Sequence, residues 1–269
     1  MPLTPFQADI FKVISANRNP DSFAAGGIVI NRDRNSARYS DDIDLFHDTA
    51  QALAASAEAD VQSLEKAGYI VQFARRGLTF AQAIVARADE SVRLDWAADS
   101  AFRYFPVIPD DMLGYRLHDA DAATNKVLAA ASRQKVRDFI DLMQLDRTYV
   151  SLGVAVWAAA GKDEGYTPDM IMQELRRNSR INPVSLEGVT LVAPQTPVAL
   201  KAEWLEKFAA AEKLIASIPA EPIRCLYLDC SGNPARGEVF DSTWVPHYGS
   251  VKGAWPKLSS RKKTSLGGL

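Results

Sequence analysis

The chain has 269 residues and a nearly balanced charge, with 31 Lys and Arg against 33 Asp and Glu. Its 47% hydrophobic content excludes a collagen-like or wholly disordered chain and suffices for one large domain or two small ones. Two cysteines, Cys225 and Cys230, are too few for a disulfide scaffold, and we expect both to be buried thiols. The longest run without a charged residue, 148–161, is too short to span a bilayer. We therefore expect a soluble, cytoplasmic protein without a membrane partner.

The charge is unevenly distributed along the chain. No acidic residue follows Asp241, whereas five basic residues do, namely Lys252, Lys257, Arg261, Lys262 and Lys263. A basic segment of this kind suits a phosphate backbone, although it is equally typical of a solvated terminus. Three aromatic residues in this region, Trp244, Tyr248 and Trp255, either stack on nucleic-acid bases or pack locally.

The predicted elements alternate early and become helical later. In chain order they are a helix capped by Thr4 and ending near 14, strands 22–25 and 42–46, helix 50–66, strands 69–75, 78–87 and 91–97, helices 119–132, 135–145, 149–160, 168–178 and 197–218, and a hairpin of 223–229 with 237–240. Strands clustered before helices predict an α+β fold with a mixed sheet. We expect a core at 1–110, a helical domain at 111–220 that contributes to the active-site cleft, and a small β-hairpin with a basic tail at 221–269.

An acidic pair lies within the second predicted strand. Because side chains alternate along a strand, Asp42 and Asp44 share one face and Ile43 and Leu45 the other. Two carboxylates on one face repel each other, and a divalent cation such as Mg²⁺ compensates for that repulsion. Asp95 has the same alternation on a later strand, and it becomes a third carboxylate if the two strands are neighbours.

Two further features suit a phosphate-bearing ligand. Gly26 and Gly27 follow a strand and allow backbone N–H groups to approach an anion closely. Lys126 is expected on a helix, where its ammonium would neutralise a triphosphate. Asp138 and Asp141 are three residues apart and therefore neighbours on the next helix. Each feature also has an ordinary structural interpretation: a solvated edge strand, a tight turn, or helices joined by ion pairs.

Taken together, these motifs resemble the AbiEii/AbiGii nucleotidyltransferase toxins, relatives of the MenT toxins. The resemblance covers about 6–147 and includes Gly26-Gly27, Arg38-x-Ser40-x-Asp42-Ile43-Asp44-Leu45, Lys126, and Arg137-Asp138-x-x-Asp141-Leu142. It implies a polymerase-β-like nucleotidyltransferase core that uses one or two Mg²⁺ ions and a nucleoside triphosphate such as ATP. The chain departs from the family pattern at Ile28, where relatives often carry Ser or Thr.

The resemblance also implies roles for individual residues. Asp42, Asp44, Lys126 and Asp138 match catalytic positions; Asp42, Asp44 and Asp95 match metal ligands; and Gly26, Gly27, Ser40 and Lys126 match nucleotide-binding positions. The implied acceptor is a tRNA 3′ end, within a toxin–antitoxin or abortive-infection system that includes a cognate antitoxin. Two alternatives stay open: a nucleotidyltransferase that modifies a cationic aminoglycoside, and a non-catalytic interaction protein on the same fold. Arg75, Arg76 and Arg87 are candidate phosphate contacts near the catalytic sheet.

Overall fold

The computed structural model describes residues 3–33 and 35–257, and its centre is a mixed sheet. The strands of the described residues are β1 (Ser22–Ala25), β2 (Asp42–His47), β3 (Ile70–Arg76), β4 (Phe80–Arg87), β5 (Glu90–Ala98), β6 (Phe102–Arg103), β7 (Ile108–Asp110), β8 (Gly114–Arg116), β9 (Cys225–Leu228), β10 (Val245–Tyr248) and β11 (Ser250–Val251). Seven of them form one sheet in the order β3-β4-β5-β2-β1-β8-β7. The pair β2–β5 is parallel, and β1–β2 and β4–β5 are antiparallel. The predicted α+β class with a mixed sheet is confirmed.

The helices divide between one face of the sheet and a separate bundle. They are α1 (Pro5–Ile14), α2 (Gly26–Ile30), α3 (Ala50–Lys66), α4 (Asp119–Ser132), α5 (Val136–Thr148), α6 (Leu152–Lys162), α7 (Pro168–Asn178), α8 (Pro183–Leu186) and α9 (Pro197–Ser217), with one 3₁₀ turn at Ser15–Asn17. Helix α1 begins at a capping box between Thr4 and Gln7. Helices α1 and α3 contact each other and β5, whereas α4 contacts α2, α5, α6 and α7.

Strand alternation explains which face of the sheet the first helices cover. Ile43, Leu45, Leu94 and Trp96 are fully buried on that face, where the indole N–H of Trp96 donates to Asp60 on α3 at 2.8 Å. The opposite residues of β2 and β5 therefore point away from α1 and α3. Burial of this apolar face fixes the register of both strands, since a slip by one residue would exchange the two faces.

The predicted C-terminal hairpin is wrong in its second strand. Cys225–Leu228 pairs with Val245–Tyr248 and not with 237–240. After a bridge between Pro234 and Leu228, the intervening segment leaves the strand edge, and the N–H of Gly237 binds Ser151 Oγ at 2.8 Å. The prediction of two buried cysteines is half wrong as well: Cys225 is buried, but Cys230 lies in the exposed turn.

Several short elements escaped the sequence analysis, namely α2, α8, β6, β7, β8 and β11. The hairpin of β7 and β8 spans residue 110, the predicted end of the core, and adds two strands to the main sheet. The division into domains remains a prediction. Across residues 3–33 and 35–257, none of the helices combines the length and apolar character needed to cross a membrane.

Candidate active site

A cleft of about 340 Å³ opens between the uncovered face of the sheet and helices α4 and α5. It receives side chains from β2, β4 and β5, the corner between β1 and α2, and the two helices. Its walls are Gly26, Gly27, Arg38, Asp42, Asp44, Phe46, Phe80, Arg93, Asp95, Ala97, Ala122, Asn125, Lys126, Ala129, Arg133 and Arg137. Six of the residues singled out from the sequence therefore meet in one cleft: the two glycines, three aspartates and Lys126.

The three aspartates lie on the floor of this cleft because β2 and β5 are parallel neighbours. Their register places Asp44 opposite Asp95, and Asp42 opposite Arg93. The sequence pattern predicted the shared face of Asp42 and Asp44 but left open whether Asp95 joins them. The parallel pairing brings Asp95 there.

Two of the three carboxylates on the floor, Asp44 and Asp95, have raised pKa values. Burial and repulsion by Asp42 raise the pKa of Asp44 to about 7, although Lys126 acts in the opposite direction. Burial also raises the pKa of Asp95, although Gln82, which donates to it at 2.9 Å, counteracts this rise. Carboxylates with raised pKa values beside one another form an environment that favours an added cation.

The glycine corner is fitted tightly against the acidic pair. Gly26 has φ +64°, and a Cβ there would overlap the carboxylate of Asp44. At Gly27 a Cβ would lie 2.8 Å from Nη2 of Arg38 and 2.9 Å from Oγ of Ser40. Only glycine combines the left-handed conformation with this close approach. The two glycines form the beginning of the short helix α2, which differs from the alternative interpretation of a simple tight turn.

Ser40 lies behind the cleft. In the described part of the chain it is buried and does not line the cavity, and its hydroxyl donates to the backbone carbonyl of Asp42 at 3.1 Å. This contact ties the start of β2 to the loop that precedes it. The geometry therefore gives Ser40 a positioning contact on Asp42, and its predicted contact with a nucleotide stays a prediction.

A buried ionic cluster supports the helical wall of the cleft. Lys126 Nζ lies 2.9 Å from Asp138 Oδ1 and 3.0 Å from Asp141 Oδ2. Asp141 also receives two hydrogen bonds from Arg38, at 2.8 and 2.7 Å. Arg133 pairs with Asp138 at 2.8 Å. Asp138 and Asp141 thus orient the cations that border the cleft.

The ionisation of this cluster is well defined. Burial alone would raise the pKa of Asp138, but Lys126 and Arg133 outweigh it and lower that pKa to about 2. The carboxylates likewise overcome the burial of Lys126 and raise its pKa. Asp138, predicted as catalytic, is fully buried beneath Lys126, so it is placed to orient that ammonium and has no access to the cleft.

Two arginines without a predicted role reach the acidic floor. Arg93 contacts Asp42 through Nη2 and lies 3.3 Å from Asp95 through Nε. Arg137 Nη2 lies 3.2 Å from Asp42 Oδ2. Arg93 alternates with the apolar Val92 and Leu94 and therefore lies on the same face of its strand as Asp95, but its pairing depends on the neighbouring strand, which only the three-dimensional structure reveals.

The donor set fits Mg²⁺ at Asp42 and Asp44. Both side chains are hard oxygen ligands, and burial and repulsion by Asp42 raise the pKa of Asp44 despite the nearby Lys126. Within 3–33 and 35–257, however, no three His, Cys, Asp or Glu side chains converge closely enough to form a metal site by themselves. The guanidinium of Arg93 contacts Asp42 and lies 3.3 Å from Asp95. Mg²⁺ commonly completes its coordination with phosphate oxygens and water.

The other candidate phosphate contacts divide between the two faces of the sheet. Arg75 is opposite Gln82 and its guanidinium lies 5.7 Å from the ring centre of Phe80, on the cleft side. Arg76 lies over Phe73, and Arg87 over Tyr69, on the side covered by α1 and α3. Of the three, Arg75 alone lies on the cleft face of the sheet, beside Phe80 and outside the lining of the cleft in the described residues.

The C-terminal aromatic residues also differ from one another. Trp244 is buried against Tyr227 and Phe240, so it packs locally, as the second of the two interpretations expects. Tyr248 and Trp255 are more than half exposed. Lys252 pairs with Asp21 at 2.6 Å, and the basic residues Arg261, Lys262 and Lys263 lie outside the described residues.

Comparisons with known proteins identify the fold. Sequence comparison finds neither a matching family model nor a significantly similar curated protein. By structure, the chain is similar to MenT4, a nucleotidyltransferase toxin of Mycobacterium tuberculosis H37Rv, with a TM-score of 0.51, 16% identity, and coverage of 78% of this chain and 82% of MenT4. It is also similar to JHP933 from Helicobacter pylori, with a TM-score of 0.42, 15% identity, and coverage of 77% and 92%. The similarity to MenT4 shows a nucleotidyltransferase fold and agrees with the motif resemblance at the level of the fold.

Proposed function

We propose that this protein is a Mg²⁺-dependent nucleotidyltransferase that moves a nucleoside monophosphate from a nucleoside triphosphate to a hydroxyl group of an RNA, with a tRNA 3′ end as the first candidate. One observation carries the proposal. The acidic pair Asp42 and Asp44, the glycine corner and Lys126 line the same cleft, although they come from separate parts of the chain.

Each group has a defined task in such a transfer. Backbone N–H groups at Gly26 and Gly27 and the ammonium of Lys126 would bind the triphosphate and offset its charge. Asp42 and Asp44 would hold Mg²⁺, which supplies charge stabilisation at the α-phosphate and the pyrophosphate when bound. Asp138 would act at a distance by holding Lys126 in place.

Asp95 is the candidate for handling the acceptor. Its raised pKa makes its carboxylate a stronger base than an exposed aspartate. In the transfer, the acceptor oxygen forms a bond to the α-phosphorus while the bond from that phosphorus to the pyrophosphate oxygen breaks. The proton of the acceptor hydroxyl passes to Asp95. Arg93 and Arg137, which pair with Asp42 in the unliganded protein, are close enough to meet phosphate oxygens instead.

The charge of the cleft favours an anionic acceptor over a cationic aminoglycoside. Asp138 and Asp141 already compensate the buried Arg38 and Lys126, but the guanidiniums of Arg93, Arg133 and Arg137 are at least partly exposed in the lining of the cleft. A polycationic drug would meet these three guanidiniums, whereas an RNA phosphate would be attracted by them. The acidic composition of the whole chain is therefore a poor guide to the acceptor.

A toxin role is the corresponding biological proposal. MenT4 is a nucleotidyltransferase toxin, and the present chain has its fold. By analogy, we propose that this protein modifies RNA as the toxin of a toxin–antitoxin system and that a cognate antitoxin restrains it. The support for the toxin role is the similarity of fold to MenT4.

The test is a transfer assay with purified protein. Each of the four α-³²P-labelled ribonucleoside triphosphates is incubated with Mg²⁺ and either total tRNA or a panel of aminoglycosides. We expect label on tRNA, none after addition of EDTA, and none with Asp42→Ala. Asp89→Ala, which removes an exposed carboxylate from the turn between β4 and β5, should keep full activity.

Two results would contradict the proposal. Label on an aminoglycoside would select the small-molecule enzyme. Absence of transfer to both acceptors, together with absence of triphosphate binding in calorimetry, would favour the non-catalytic interaction protein.

A further inference from the structure

The residues of the cleft floor form rows across the sheet. The pairing of β2 with β5 and of β5 with β4 places Asp44, Asp95 and Gln82 side by side. Two residues further along β2, the same registers place Phe46, Ala97 and Phe80 side by side. Both rows face the cleft, and a step of two residues separates them by about 7 Å. An aromatic row thus lies next to the acidic row.

This row, which we call the aromatic shelf (Phe46, Ala97 and Phe80), is only partly covered by the protein. Phe80 and Ala97 are partly exposed and lie outside the main hydrophobic core of the described residues, whereas Phe46 packs against its edge. The small side chain of Ala97 between two phenyl rings leaves space above the sheet. Aromatic faces held open in a polar cleft are suited to stacking against a planar ring.

The glycine corner and the aromatic shelf lie on opposite sides of the acidic row along the direction of β2. Ala25 pairs with Asp44, and because β1 runs antiparallel to β2, Gly26 and Gly27 continue toward the Asp42 end. The aromatic shelf is displaced toward the His47 end of β2. The acidic floor therefore has a candidate triphosphate grip on one side and the shelf on the other.

We propose that the aromatic shelf binds the terminal nucleobase of the acceptor RNA. The proposal rests on the proposed function and deepens it. In phosphoryl transfer the attacking and leaving oxygens are roughly in line across the reacting phosphorus. With pyrophosphate leaving on the side of the glycine corner, the attacking hydroxyl approaches from the other side, where the shelf lies. A base stacked there would hold its ribose hydroxyls beside Asp95.

Arg75 extends this site outward from the sheet. Its guanidinium lies over the ring of Phe80, and it is exposed in the strand at the sheet edge. A cation next to a bound nucleobase is placed to contact the phosphate of the preceding nucleotide. A base stack flanked by a phosphate contact is a single-stranded nucleic-acid site, and an aminoglycoside lacks both an aromatic base and a phosphate.

The experiment measures binding without metal or triphosphate, so that it does not depend on catalysis. A fluorescein-labelled single-stranded RNA 12-mer and the same RNA lacking its 3′-terminal base are titrated with wild type, Phe80→Leu and Phe80→Trp by fluorescence anisotropy. Leucine keeps apolar bulk but has no aromatic face. We expect Phe80→Leu to weaken binding of the intact RNA about tenfold and to leave binding of the RNA with the abasic 3′-terminal ribose unchanged, whereas Phe80→Trp binds like wild type.

Controls separate a local effect from a general one. Leu78→Ala removes an exposed side chain from the same hairpin and should not change either titration. Thermal unfolding of each variant checks folding, and Phe46→Leu repeats the test from β2. In the transfer assay, Phe80→Leu should raise the KM for tRNA and leave the KM for the triphosphate unchanged.

The outcomes distinguish the two proposals. Equal weakening of both RNAs, or none, overturns the shelf as an acceptor site. If calorimetry finds that Phe80→Leu weakens triphosphate binding and spares RNA, the base bound there belongs to the triphosphate and the assignment to the acceptor is wrong. If binding behaves as expected but wild type transfers no nucleotide to any RNA, the shelf stands as an RNA site and the proposed transferase function fails.

Discussion

Replacing Asp44 by Asn should stabilise the metal-free protein while abolishing its activity. The described residues give the Asp44 carboxylate neither a hydrogen bond nor an ion pair, so Asn loses no native partner. Burial and the neighbouring Asp42 raise the pKa of Asp44 from 3.8 to about 7. A rise of about 3 units corresponds to at most about 4 kcal/mol, and access of water to the cleft reduces the effect.

The sign of this effect depends on pH. Because the folded state binds the Asp44 proton more tightly than the unfolded state, the free energy of unfolding falls as pH rises from about 4 to 7. The penalty is largest above pH 7 and small near pH 4.5. Asn carries no charge at either pH, so Asp44→Asn should be more stable than wild type by about 2–4 kcal/mol at pH 8 and by about 1 kcal/mol or less at pH 4.5.

Urea unfolding monitored by tryptophan fluorescence in EDTA measures this difference. Asp48→Asn is the control, because Asp48 is paired with Arg103 and its loss should destabilise the protein at pH 8. Adding Mg²⁺ should stabilise wild type more than Asp44→Asn. The reasoning is refuted if Asp44→Asn is no more stable than wild type at pH 8, or if it gains equally at both pH values.

Three other predictions concern separate parts of the molecule. Gly26→Ala should weaken triphosphate binding at least tenfold in calorimetry. Gly68 is the control position, because it has φ +83° but open space at its Cβ. Gly68→Ala should therefore lower the free energy of unfolding only by the backbone strain of about 1–2 kcal/mol. Burial lowers the pKa of His47 to about 4, and its buried Nε2 finds no hydrogen-bond partner among the described residues, so stability should fall by about 3 kcal/mol as pH drops from 6.5 to 4. His47→Gln should flatten that part of the urea-midpoint profile relative to wild type. Arg93→Met should bind Mn²⁺ several-fold more tightly in calorimetry than wild type or Arg87→Met, because it frees Asp42 and Asp95 from a competing cation, and an unchanged affinity would contradict this role.

Local patterns predicted the parts of the fold that depend on neighbours in sequence. The alternation around Asp42 and Asp44 assigned both carboxylates to one face, because burial of Ile43 and Leu45 determines which face is exposed. The long helices were predicted for the same reason, since their apolar periodicity extends over several turns. The strands of β7 and β8 have only three residues each, too few for such a pattern.

Pairing between distant segments was not predictable in this way. The predicted strand 223–229 was expected to pair with 237–240, but the N–H of Gly237 binds Ser151, which precedes α6, and Val245–Tyr248 pairs with the strand instead. Likewise, Asp138 matched a catalytic position, but its burial beneath Lys126 depends on how α4 packs on α5. The aromatic shelf was missed because Phe46 and Phe80 become neighbours only through Ala97 on a third strand.

The buried charges explain why the cleft can hold its shape before a ligand arrives. Asp138 and Asp141 are fully buried and accept from Lys126, and Asp141 also accepts from Arg38, so each carboxylate is compensated. Separating one partner from such a cluster would leave an uncompensated buried charge. Because that costs free energy, the paired side chains stay in place. The acidic floor is the opposite case, because the pKa values of Asp44 and Asp95 are raised by burial, and Asp42 pairs with the partly exposed Arg93 and Arg137. Ion pairs within the protein therefore fix the helical wall around Lys126, whereas a bound cation would neutralise the carboxylates of the floor.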